Sequence, residues 1–416
     1  MTLSVTLPET ARNACNSYAH LFRGTPLRWS PMGYFFAISL FGLESLCEGA
    51  RCFVFSPSVS KLSLAAQYFI AAPFLRRMRK MIFETYDTDE KRSKLRLVID
   101  DTPNKKSGKK NYGVGHRVES SKKHYFGQQI LFLALVDIEL GIAFPLDYAF
   151  ILPKNSSSYI KPHELALELL ERYVAEGHPK MAVVADSGFD SILLIEGCIK
   201  LGLPFFVEMK WNRKLSHSKA KRQPRKNQKE YFKGKIRRGV KIEIGGKTKK
   251  TKYVSSLRAY ISDLKSPVKV ASVFNTLNGN SAFGNYLTTD LEADGATIWF
   301  MSRVRWFIEC MFRDLKQNFA FGKLSGTSKP DADLSVCIPC ALLVHLRIAQ
   351  VVNISKGEAR LETIGTVVER IRETALNKSI HLISNSQNPI VRERVRARRS
   401  QERINKKPVN TVAGAA

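Results

Sequence analysis

The sequence predicts an α/β fold: a mixed sheet flanked by helices, with a helical N-terminal domain and a basic, β-rich insertion. Three observations predict it. Residues 1–92 read as helical. From residue 95, three strand-like runs precede an alternation of helix, strand, helix and strand. Between 210 and 252 the composition turns abruptly basic, and strand-like runs follow. The expected segments are a helical domain over 1–92 and the first part of an α/β core over 93–209. The basic insertion follows over 210–283, then the last part of the core over 284–352, and a C-terminal helix with a basic tail over 353–416.

Each core element has its own signal. "LRLVID" (95–100) is a short apolar, β-branched run, the mark of a buried strand. "QQILFLALVD" and "GIAFPLDYAFIL" read as two more strands, joined by a tight turn around Glu139–Gly141. "HELALELLERYVAEG" (163–177) reads as a helix stopped by Gly177. "MAVVAD" (181–186) reads as a fourth strand, "SILLIEGCIKLG" (191–202) as a helix capped by Asp190, and "PFFVEMK" (204–210) as a fifth strand. A meander followed by right-handed crossovers gives a mixed sheet covered by helices. The segment 102–127, with seven Lys/Arg and one Glu, reads as a long basic loop. "ALLVHLRIAQVV" (341–352) reads as a buried helix.

Charge narrows the partners. The chain carries 66 Lys+Arg against 37 Asp+Glu, a net charge of +29, and residues 210–252 alone supply +16 of it. Such a chain is built for a polyanion, nucleic acid or an anionic membrane surface. The apolar runs "MGYFFAISLFGL" and "ILFLALV" fall short of the roughly 20 residues that a spanning helix needs. "MTLSVTLPET" lacks the pattern of a signal peptide. The expectation is a cytoplasmic protein with no membrane partner. Seven scattered cysteines lack a disulfide framework, and "CIPC" (337–340) lacks the second pair that a closed zinc site needs.

The chemistry rests on carboxylates. Asp100 and Asp186 each end an apolar strand, at the edge where open α/β sheets place ligands. "RWFIECMFRDLKQNF" (305–319) is an amphipathic helix. At 100° per residue, Lys316 and Glu309 fall within about 40° of Arg305, opposite an apolar arc. If the first and fourth strands are neighbours, Asp100 and Asp186 meet, and a helix beside them delivers Glu309. Three such carboxylates suit hard divalent ions, Mg²⁺ or Mn²⁺. Two ions roughly 3.5–4 Å apart can serve an in-line phosphoryl displacement.

The stretches "LVIDDTPNKK", "VVADSGFDS", "YLTTD" and "RWFIECMFRDLKQNFAFGKLSG" resemble the DDE transposases of bacterial insertion sequences. The similarity is to the branch with a Tyr-x2-Arg-x3-Glu-x6-Lys signature and a β-rich insertion before the last catalytic helix, and it covers roughly residues 93–350. Arg305, Glu309 and Lys316 match that signature; the Tyr position falls on Ser302. The resemblance implies an RNase H-like catalytic core with Asp100, Asp186 and Glu309 as the metal triad. It favours Asp100 over the adjacent Asp101, and implies DNA-backbone contacts for Arg305 and Lys316. Relatives that cut through a DNA hairpin use the Tyr against phosphate; Ser302 keeps only a hydroxyl.

Lys105, Lys106, Lys109 and Lys110 border the first carboxylate and are expected to track DNA phosphates. Trp211, Trp299 or Trp306 could hold a flipped base by stacking, although core packing is the commoner use of such residues. Residues 1–92 are a further candidate for DNA binding. Partners implied are double-stranded DNA with terminal inverted repeats, target DNA and, when DNA-bound, a second copy of the chain, in a bacterial nucleoid setting. "IGGKTKK" fails as a phosphate loop because position 241, where a glycine is required, is lysine. The leading expectation is a DNA transposase that cleaves element ends and transfers their 3′ hydroxyls. The alternatives are a non-catalytic DNA-binding descendant and a structure-specific nuclease on the same fold.

Overall fold

The computed structural model describes residues 14–384 except 15, 19–20, 22–29, 44, 48–58, 119–122, 220–224, 245–246, 249, 279–281, 325 and 359. The basic tail expected after residue 384 lies outside the described residues, as do Cys15 and Cys52.

Strand β1 (Leu95–Lys105) is the sheet's organising element. It pairs antiparallel with β3 (His124–Asp137) on one side and parallel with β5 (Val183–Ala185) on the other. β4 (Ile142–Ile151) flanks β3, and β6 (Phe205–Glu208) runs parallel to β5. The core order is therefore β4-β3-β1-β5-β6, a mixed sheet in which the meander lies on one side and the crossovers on the other. This is the RNase H-like arrangement expected, flanked by helices. The crossover helices are α5 (Pro162–Ala175), started by Pro162, and α6 (Ile192–Leu201). Ser191, not Asp190, caps α6: its hydroxyl accepts from Leu194 N–H, because the Asp190 carboxylate is buried and turned to Arg213.

The basic segment adds its strands to this same sheet. β13 (Ala282–Thr288) pairs antiparallel with β6, and β12 (Val268–Phe274), β11 (Lys252–Ile261) and β7 (Leu215–Ser216) follow outward. β8 (Arg238–Val240) also pairs with β11, while β9 (Glu243–Ile244) and β10 (Lys247–Thr248) form a separate pair.

The expected loop 102–127 begins and ends as ladder. β1 continues through Lys105, opposite Gly127, and β2 (Gly115–Val118) pairs with the start of β3. Thr102 and Asn104 are buried while Lys105 is exposed, so the basic composition hid an alternating strand.

Helices α1 (Ser30–Leu40), α2 (Val59–Gln67), α3 (Ala71–Thr85) and α4 (Asp89–Ser93) precede the sheet. The first three pack against α10 (Lys329–Ser355), and the buried apolar residues form one contiguous core. α10 is longer than the sequence suggested. A capping box of Ser328 and Asp331 starts it, and it carries Pro339 in its interior. Its 27 residues are long and apolar enough to cross a membrane, and 67% of its most apolar stretch is buried inside the fold. Cys337 and Cys340 are among those buried residues. α11 (Ile364–Ser384) closes the described chain. Between β13 and α10 come α8 (Gly295–Val304) and α9 (Trp306–Asn318), which meet at Arg305; α7 (Gln228–Tyr231) is a single turn in the basic segment.

Candidate active site

Strand register does the first part of the work. Ile99 lies opposite Ala185, so Asp100, within β1, and Asp186, just past the end of β5, stand at the same level on adjacent parallel strands. The second part comes from α9, whose apolar arc packs on the sheet: Phe312 lies 5.4 Å, ring to ring, from Phe132, which itself pairs with Asp100. Ile308, Met311 and Leu315 are buried on the same face. That packing turns Glu309 and Lys316 toward the edge of β1.

Arg305 ties the pieces together. Its Nη1 lies 2.8 Å from Asp100 Oδ2 and 2.6 Å from Glu309 Oε1. Burial works against its charge, but Asp100, Glu309 and Asp186 outweigh that and hold its pKa above the ordinary value. Burial pushes the Asp100 carboxyl up to about 7; Asp186 adds to the rise and Arg305 opposes it. Asp101 is pushed to about 6, by burial and then Asp186, while Gln129 donates to its Oδ2 at 2.7 Å. Asp100 and Asp101 thus use different partners, and Asp100 is the one tied to Arg305 and, through it, to Glu309. Asp186 caps the short 3-10 turn Ser187–Phe189, accepting from Gly188 N–H at 2.8 Å.

Residues of β1 grip the region around α9 at two further points. Lys316 Nζ donates to Thr102 Oγ1 at 2.6 Å. Asn104 Nδ2 donates to Gln128 Oε1 at 2.7 Å and to Gly322 O at 3.2 Å. Asp100, Thr102 and Asn104 alternate along the strand and are all buried. One stripe of β1 therefore holds Arg305, Lys316 and the loop after α9.

The remaining expected residues distribute as follows. Ser302 donates to Trp299 O at 2.6 Å, a bond within α8, and also hydrogen-bonds with Tyr286. Lys106 donates to Leu324 O at 3.1 Å; burial, then Lys323, lowers its pKa to about 8. Lys105, Lys109 and Lys110 are exposed. Trp299 is 2% exposed and belongs to the core, whereas Trp211 and Trp306 are 88% and 49% exposed. The Arg313 guanidinium lies 5.9 Å from the Trp306 ring centre.

Sequence reasoning missed Glu208. Ala185 lies opposite Val207, which sets Glu208 beside Asp186 as Asp186 stands beside Asp100. The signal was present, since "PFFVE" is another apolar strand ending in a carboxylate, but no turn residues follow it to draw attention. Tyr286, opposite Glu208 on β13, was also passed over.

Among the described residues, no three His, Cys, Asp or Glu side chains are placed to share a metal ion. The donor set nonetheless fits one. A single guanidinium nitrogen already stands between oxygens of Asp100 and Glu309, a cation where a hard divalent ion would sit, and all the donors are carboxylate oxygens.

Residues 65–254 match the family model described as DDE superfamily endonuclease. The matched stretch contains Asp100, Asp186 and Glu208 and ends before Glu309. It supports a DDE-type nuclease chemistry, which uses divalent metal ions. The chain is also similar to the cryo-EM structure of a piggyBac transposase synaptic complex with hairpin DNA. The TM-score is 0.45 at 13% identity, covering 100% of this chain and 86% of that one. No curated protein sequence matches the chain.

Proposed function

We propose that this chain is a DNA transposase of the bacterial insertion-sequence type, cleaving element ends and joining the freed 3′ hydroxyls to target DNA. The observation that carries the reading is the meeting of Asp100 and Glu309 on one Arg305 nitrogen, with Asp186 in register beside Asp100. Asp100 and Asp186 come from two strands and Glu309 from a helix, in a chain whose residues 210–252 alone carry +16.

Asp100, Asp186 and Glu309 would hold two Mg²⁺ ions, with Mn²⁺ as a substitute. Bound there, the ions supply the positive charge that stabilises attacking and leaving oxygens in an in-line phosphoryl displacement. The protein's own part is to fix the carboxylates and to hold the strand. Lys316, on the face of α9 beside Thr102, would bind the phosphate next to the cleaved bond. Arg305 would join it once released from Asp100 and Glu309. Lys105, Lys109 and Lys110 extend that cationic track along the exposed β1 end, and their contacts would be to backbone, giving affinity without sequence readout. Exposed Trp306 and Trp211 are available to stack on an unpaired base. The substrate is double-stranded DNA ending in inverted repeats, held as a pair by two copies of the chain in the bacterial nucleoid.

The test is cleavage of a labelled duplex carrying the terminus of the chain's own element, in Mg²⁺. Wild type should cut and, with target DNA, give strand-transfer products. Glu309→Gln and Asp100→Asn should bind the same duplex and leave it intact. Cleavage without strand transfer would instead make the protein a nuclease on the same fold.

A further inference from the structure

The carboxyl edge of the sheet carries more than the triad. Asp100, Asp186 and Glu208 stand at one level across three neighbouring parallel strands, and Tyr286 continues the row on the antiparallel strand β13. Beyond Asp186, the edge opens into a small cavity of about 60 Å³, lined in part by Glu208, Tyr286, Ser302, Arg303 and Arg305. Arg305 is therefore shared between two acidic neighbourhoods. On one side it grips Asp100 and Glu309. On the other it lines the same cavity as Glu208.

We infer that Glu208 is a positioning residue: the second berth of Arg305, which receives the guanidinium when a divalent cation occupies Asp100, Asp186 and Glu309 and no DNA phosphate is yet bound. The inference rests on the metal-site reading above. Its physical logic is charge balance. A cation bound between Asp100 and Glu309 cannot share that place with the Arg305 guanidinium, so the arginine must leave. An arginine that leaves for solvent gives up its carboxylate partners, while one that turns into the adjoining cavity meets another carboxylate and loses less. The electrostatics agree with that placement. Burial raises the Glu208 carboxyl; Arg305 is the strongest opposing influence, with Asp186 adding to the rise and Arg303 opposing it. Arg303 also lines the cavity, so the berth has a second cation beside it. Glu208 acts through Arg305 and contacts neither metal nor DNA.

The test is a double-mutant cycle read by calorimetric Mn²⁺ binding to the full-length protein, with no DNA present. Glu208→Gln should weaken Mn²⁺ binding about tenfold, because Arg305 then stays on Asp100 and Glu309. In an Arg305→Gln background, which removes the competing guanidinium while keeping a polar side chain of similar reach, Glu208→Gln should change Mn²⁺ affinity by less than about twofold. Arg305→Gln alone should bind Mn²⁺ more tightly than wild type. Circular dichroism of each variant confirms that the comparison is among folded proteins. An equal loss in both backgrounds would make Glu208 a metal ligand and overturn the berth; no loss in either would overturn it as well. If wild type takes up no Mn²⁺, or Asp100→Asn and Asp186→Asn bind it undiminished, the metal-site reading itself fails, whatever Glu208 does.

Discussion

Arg305 Nη1 stands 2.8 Å from Asp100 Oδ2, joining residues 205 positions apart in the chain. The same nitrogen reaches Glu309 at 2.6 Å. The contact locks the helix that bears Glu309 onto the strand that bears Asp100, and it does so with a cation in the place proposed for a metal ion. The positive charge of Arg305 offsets the repulsion among the carboxylates around it.

The balance is incomplete, and stability should show it. The Asp100 carboxyl sits at about 7, above its ordinary value near 4, because burial and Asp186 outweigh Arg305. A carboxyl raised on folding contributes stability that is fully present below the unfolded value and is lost as pH rises through the folded one. Metal-free wild type should therefore lose stability between about pH 4 and pH 7. Asp100→Asn should be more stable than wild type at pH 8, by about 2–4 kcal/mol. Urea melts at several pH values measure this directly; a variant less stable than wild type at pH 8 would contradict it.

Thr102 holds Lys316 by a 2.6 Å hydrogen bond from Nζ. Thr102→Val keeps the shape of the strand and removes the acceptor. Folding stability should fall by about 1–2 kcal/mol, since the bond is to a charged donor. Cleavage should slow by a larger factor than that cost alone implies at saturating DNA, because Lys316 loses its fixed position. An unchanged rate would mean that Lys316 finds its phosphate without help from β1.

Gly322 and Asn104 form the third grip. Gly322 has a φ of +66°, and a Cβ there would run into the Asn104 amide. Gly322→Ala should cost about 2–3 kcal/mol, combining the strained backbone with loss of a buried hydrogen bond. Asn104→Ala should cost about 1–3 kcal/mol by leaving Gly322 O and Gln128 Oε1 short of a donor. The double variant should cost less than the sum of the two, since both break one contact. Additive losses in denaturant melts would show that they act separately.

Arg213 anchors the start of the basic segment. Its Nε lies 3.1 Å from Asp190 Oδ2, its Nη2 meets Asp190 Oδ1, and the Asp190 side chain is fully buried. Removing only the cation leaves a buried carboxylate that keeps a single backbone donor, Lys210 N–H at 2.9 Å. Arg213→Ala should destabilise the fold by about 3–5 kcal/mol, whereas replacing both partners with apolar residues should cost less. Thermal melts of the single and paired variants distinguish the two.

Much of this architecture was legible in the residues. The apolar runs ending in Asp100 and Asp186 gave two strands and their carboxylates, and the stripe of Arg305, Glu309 and Lys316 marked the helix face turned toward them. The strand order that makes Asp100 and Asp186 neighbours was a condition in the sequence and became a fact only through register. What stayed hidden was of two kinds. Composition masked local structure at the end of β1, where Lys105 opens a run of lysines beyond the strand, so its last residues read as loop. Long-range partners also left no local mark. Nothing around Arg305 announces that its partner is Asp100 as well as Glu309, and nothing after Glu208 singles it out from an ordinary strand end. Asp190 looked like a helix cap because Asp caps often; its real partner lies 23 residues away in a segment that read only as basic.

In the proposed reading Asp100, Asp186 and Glu309 hold divalent metal and Arg305 is displaced from them. The most direct measurement is an anomalous-scattering map from crystals of the protein soaked in Mn²⁺. The map should show a peak between Asp100 and Asp186 within reach of Glu309, with Arg305 withdrawn from Asp100. No peak there, with Arg305 still bridging Asp100 and Glu309 at saturating Mn²⁺, would contradict it.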